Sequence, residues 1–163
     1  MRDTRYEDGF SLIEVLIAIL LVGLAIASLV TANSAFTKAN GAGTELSTAE
    51  FLIEQIRELS ALLPVIDPQL GVSTFGPETA ETLDNYDDLD DFDGASFSPP
   101  IGFDRKPLDD FAAFNQQITV ENVNASDFEQ VVSDHGSYFV RVTVKVFLNS
   151  REISSARWLR AQY

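Results

Sequence analysis

The sequence predicts an α+β fold: a long N-terminal helix, half transmembrane and half amphipathic, packed on a small antiparallel sheet of three to four strands. Three observations predict it. Residues 15–30 read VLIAILLVGLAIASLV and carry no charge. Leu46, Ala49, Leu52, Ile53, Ile56, Leu59 and Leu63 then recur every three or four residues, which is the stripe of an amphipathic helix. Finally, Val140, Val142, Val144, Val146 and Leu148 alternate with Arg141, Thr143, Lys145 and Phe147, the pattern of a half-buried strand.

Each element follows in order. Residues 1–9 form a short polar leader. Residues 10–30 are long enough to span a bilayer, for which about 20 residues are needed. Residues 31–63 continue the helix in amphipathic form and end before Pro64, since the residue preceding a proline disfavours helical geometry. Unbroken, residues 10–63 make a rod of roughly 80 Å. Asn40-Gly41-Ala42-Gly43 is the weak stretch, where a bend or soft point is expected, and Ser47-Thr48-Ala49-Glu50 fits a capping box that could start a fresh helix. Residues 64–163 form the head. All six prolines lie between Pro64 and Pro107, which marks a loop-rich stretch. Strands are expected at 117–123, 138–148 and 151–162, with Asn149-Ser150 as a tight turn between the last two.

Composition narrows the function. The 163 residues carry a net charge of −14 and no cysteine. Disulfide stabilisation is excluded, and general nucleic-acid binding is disfavoured because the chain repels phosphate. No Lys or Arg occurs between Arg57 and Arg105, whereas Arg141, Lys145, Arg151, Arg157 and Arg160 cluster near the C-terminus. An acidic and a basic face would suit head-to-tail stacking of subunits; solvation alone is the plainer reading. His135 is the single histidine and sits in Asp134-His135-Gly136, a turn. No catalytic residue set is visible, and an enzyme is not expected.

The most informative residue is Glu14, an acid at the mouth of a membrane-grade helix, where a carboxylate is costly and usually functional. It lies in Gly9-Phe10-Ser11-Leu12-Ile13-Glu14. A polar leader ending in Gly, then Phe, then Glu five residues after the Gly and an apolar run resembles the cleavage region of type IV pilins and pseudopilins. The resemblance covers about 25 residues, counting from the leader through the apolar run. It implies a pilin-like fold, cleavage by a prepilin peptidase after Gly9, methylation of Phe10, and pairing of Glu14 with the terminal amine of a neighbouring subunit. The implied partners are other pilin or pseudopilin subunits, the peptidase and an inner-membrane assembly platform. The implied location is the inner membrane as a single-pass precursor, then a periplasmic pseudopilus or a surface pilus. The leader departs from the family's basic pattern, because Asp3, Glu7 and Asp8 oppose Arg2 and Arg5. Ala25-Ile26-Ala27 offers a competing signal-type cleavage site.

The acidic run 84–94 allows two readings. Asp87, Asp88, Asp90, Asp91 and Asp93 could ligate calcium as a cofactor. The alternative is a solvated acidic turn with Leu89 and Phe92 tucked onto the domain. An EF-hand is excluded: aligning Gly94 with its invariant glycine puts Leu89 and Pro100 at ligand positions. With Ser98-Pro99-Pro100 the run is similar to minor pilin-like proteins of mannose-sensitive haemagglutinin pilus systems. The competing function is a membrane-anchored extracytoplasmic module whose acidic loop binds calcium or a basic ligand.

Overall fold

In the computed structural model, residues 9–65 and 74–162 are described; the leader residues 1–8 and Pro68 lie outside them. The chain divides into two units, Met1–Gly43 and Thr44–Tyr163. One helix, α1 (Leu12–Ala61), runs through both. It is continuous across Gly41 and Gly43, where the sequence led us to expect a soft point, and no second helix starts at Ser47.

In the first unit every helical residue is exposed. The hydroxyls within it are satisfied internally: Ser28 Oγ donates to Leu24 O, Thr31 Oγ1 to Ala27 O and Thr37 Oγ1 to Asn33 O. Such back-bonding removes the demand for water, so these residues do not compromise an apolar environment.

The second unit is built around a five-stranded antiparallel sheet: β1 (Ser96–Phe97), β2 (Phe114–Asn124), β3 (Asp127–Val131), β4 (Phe139–Leu148) and β5 (Arg151–Ala161). The order is β1-β2-β4-β5, with β3 paired to β2. Register places Ile118 opposite Val144 and Val120 opposite Val142, so their side chains share one face. That face and Val140 and Val146 are buried with Ala49, Leu52, Ile53, Ile56 and Leu59 of α1. The stripe and the alternating strand are therefore the two halves of one core. Leu46 is more exposed than its place in the stripe implies.

Asn149 and Ser150 join β4 to β5 with φ of 49° and 68°. Positive φ at both central residues is what a type I′ hairpin turn requires. Two strands were not anticipated. β1 has only two residues, and β3 (DFEQV) is exposed at every position, so neither shows an alternating pattern.

Two side chains fasten the loops to this frame. Gln116 on β2 is wholly buried. Its Nε2 donates to Leu52 O and Ile101 O, and its Oε1 accepts from Ile101 N at 2.7 Å. Arg105 donates to the carbonyls of Leu83, Asp84 and Tyr86, gripping the acidic loop. The last turn of α1 has no basic residue, and Arg160 on β5 supplies one by donating to Ser60 O and Leu63 O. A cation at a helix C-terminus satisfies orphan carbonyls and opposes the helix dipole.

Candidate functional site

Gly9 and Phe10 precede the helix and are exposed, Phe10 at 87%. Ser11 is the N-cap. Its Oγ accepts from Glu14 N at 3.3 Å, while Glu14 Oε2 accepts from Ser11 N at 3.0 Å and from Ser11 Oγ at 3.1 Å. This reciprocal arrangement is a capping box, and Val15 N to Ser11 O is the first helical bond. The Ser-x-x-Glu spacing is legible in the sequence, but the cost of a carboxylate at a membrane helix points to Glu14 alone and not to Ser11. The box fixes the carboxylate at the helix entrance, where the N-terminal dipole favours negative charge. Because a carboxylate has about four acceptor positions, the two contacts from Ser11 leave capacity for another donor. Beyond Glu14 comes a helix long and apolar enough to cross a membrane, and its apolar window is not buried within the protein.

The acidic loop is not a solvated turn: Asp88, Asp90 and Asp91 are buried. Backbone amides explain how. Asp88 Oδ1 accepts from the amides of Asp90 and Asp91, and Asp91 Oδ2 accepts from those of Asp87 and Asp88, reciprocal bonds that pin the chain leading into the 3-10 turn Asp90–Phe92. Asp90 Oδ2 accepts from Gly76 N, and Asp93 Oδ1 from Val120 N. Leu89 and Phe92 are buried as expected, with Tyr86 edge-on to Phe92 at 5.1 Å. Of the five candidate calcium ligands, only Asp91 is gathered, among the described residues, with other carboxylates suited to a metal, and those are Glu78 and Glu81.

Crowding raises the affinity of these acids for protons. Burial pushes Asp88 up to about 8, helped by its hydrogen bond to Asp90 and that residue's charge. Burial, then the charge of Asp88, pushes Asp91 to about 6. Burial also raises Asp90. Glu78 rises to about 7, first through its hydrogen bond to Glu81. Each folded-state pKa lies above its unfolded value, so the native state binds more protons between about pH 4 and 8 and stability falls as pH rises through that window. With calcium chelated, the melting temperature of the head is expected to be several degrees lower at pH 8 than at pH 5, at about 4–8 °C per kcal/mol for domains approaching this size. A flat or rising profile across that range would contradict the burial of these carboxyls.

Residues 4–30 match the family described as the prokaryotic N-terminal methylation motif. The chain's N-terminal segment is type IV pilin-like. The matched segment spans Gly9, Phe10, the Ser11–Glu14 box and the apolar run, while comparison with curated proteins and with solved structures finds no match. The motif supports a precursor like those of pilins and pseudopilins, the helix-on-sheet arrangement agrees with a structural subunit, and the exposed apolar helix fits a membrane anchor.

The C-terminal basic residues of this pilin-like chain do not form an open cationic face. Arg141 pairs with Glu121 at 2.9 Å and Glu129 at 3.6 Å, Arg157 with Glu129 at 2.9 Å, Lys145 with Glu152 at 3.5 Å and Arg151 with Glu45 at 2.6 Å. Arg160 is occupied by the helix carbonyls. Neither head-to-tail charge stacking nor a phosphate-binding patch is favoured by cations already paired within their own chain. His135 lies in its turn with φ 58° and meets Phe75 edge-on at 5.6 Å.

Proposed function

We propose that the chain is a minor pilin or pseudopilin, cut by prepilin peptidase between Gly9 and Phe10 and built into a filament through α1. Hydrolysis of that bond leaves a carboxylate on Gly9 and an amine on Phe10. A sulfonium donor then transfers a methyl group to the amine, with loss of a proton. The new terminus lies two residues after the leader's Asp8. Its amine stays basic and charged near neutral pH. In a filament core of packed apolar helices a lone cation and a lone carboxylate are each costly, so the amine of one subunit pairs with Glu14 of the next. Gly23, Ala25, Ala27 and Ser28 permit the close helix approach this needs. The precursor resides in the inner membrane with its head outside the cytoplasm, and the product is a periplasmic pseudopilus or a surface pilus.

The observation that carries this reading is the coincidence of three things in one matched segment: a glycine before Phe10, a carboxylate held at a helix mouth, and an exposed apolar helix behind it. Glycine lets the scissile backbone approach a protease closely. Gly9→Val should therefore leave the precursor at full length in cells that process their own prepilins, read on an immunoblot as a species nine residues longer than the wild type. Normal shortening of Gly9→Val would place the cut elsewhere, with Ala27 the alternative.

A further inference from the structure

We propose that Glu78, Glu81 and Asp91 form a binding site for a hard divalent cation, specifically calcium. Each offers one carboxylate oxygen, and these oxygens lie within 4.8 Å of one another. Calcium–oxygen bonds of about 2.3–2.6 Å put two oxygens of one ion at most about 5 Å apart, so all three fit a single coordination sphere.

Asp91 supplies the independent sign of a missing ligand. It is 1% exposed, and while its Oδ2 takes two backbone amides, its Oδ1 is buried with no hydrogen-bond partner among the described residues. Leaving such an oxygen unmet is costly, and a cation removes the cost. Glu78 and Glu81 are half-buried, which gives an ion a way in from solvent. Glu81 Oε2 already accepts from Glu78 N at 3.0 Å, so the two glutamates are held together on one turn. The donor set is oxygen only, which suits calcium and does not suit zinc. Bound calcium would clip the turn at 78–81 to the buried turn at 90–92 and so lock the acidic loop onto the sheet. This site does not depend on filament assembly, and either idea can fail alone.

The test is calorimetric titration of calcium chloride into the chelator-stripped full chain in detergent, with thermal melting in parallel. Binding is expected in the range of extracellular calcium modules, about 0.1–1 mM, with a rise in melting temperature. Glu78→Gln neutralises a ligand but keeps a side-chain oxygen that can accept from the backbone amide of residue 78, so the turn is kept. It should weaken calcium binding by about tenfold or more, equivalent to about 1.4 kcal/mol. Glu81→Gln should do the same. Absence of both heat and thermal shift up to about 10 mM calcium, well above that range, would overturn the proposal. So would binding that is indifferent to Glu78→Gln, since that is ordinary counterion attraction to a chain of charge −14.

Discussion

Glu14→Gln is expected to leave the chain in the membrane but to remove it from filaments. Gln can replace Glu in a capping box, so the helix start survives this change, whereas Glu14→Ala loses both the box and the charge. The two roles also differ in size. Loss of a cap costs about 1 kcal/mol. A buried amine left without its carboxylate costs about 3–5 kcal/mol, which is at least a hundredfold in each subunit's addition equilibrium. Both variants should therefore show near-total loss from sheared filaments, with the membrane pool unchanged on an immunoblot. Wild-type incorporation of Glu14→Gln would mean that the acid serves only as the partner of Ser11 in the capping box.

Gln116→Leu is expected to be among the most destabilising single changes in the head. Leucine keeps the bulk but leaves Ile101 N and Ile101 O without their partner, and removes the bond to Leu52 O. At about 1–3 kcal/mol for each buried group left unmet, the loss is about 2–5 kcal/mol. Gln116→Ala adds a cavity and costs more. Against a total stability of about 5–15 kcal/mol for an ordinary domain, either change is severe. Urea unfolding followed by the fluorescence of Trp158 measures it, and a loss below about 0.5 kcal/mol, typical of surface substitutions, would show that water replaces the glutamine without penalty.

The elements that carry a local period were legible. The stripe from Ala49 to Leu59 and the alternation from Val140 to Val146 each mark a buried face by residue type alone, and they pack on one another. The hairpin at Asn149-Ser150 was legible because turn residues tolerate positive φ. What escaped depends on tertiary contact. Arg160 caps a helix end 100 residues away, and Gln116 earns its burial only once Ile101 and Leu52 are in place. The acidic run invited either a ligand set or a solvated turn, because sequence gives no hint that backbone amides would receive Asp88 and Asp91 inside the protein. Glu78 and Glu81 lie outside that run, so their approach to Asp91 could not be read from spacing. At the N-terminus the reverse holds: the whole Ser11–Glu14 site is local, and its motif was present in four residues.

The most direct measurement is the intact mass of the chain extracted from membranes of cells with an active prepilin peptidase. The expected result is a single species that begins at Phe10, lacks residues 1–9 and is one methyl group heavier than the bare sequence. A chain that retains Met1, or one that begins after Ala27, would contradict it.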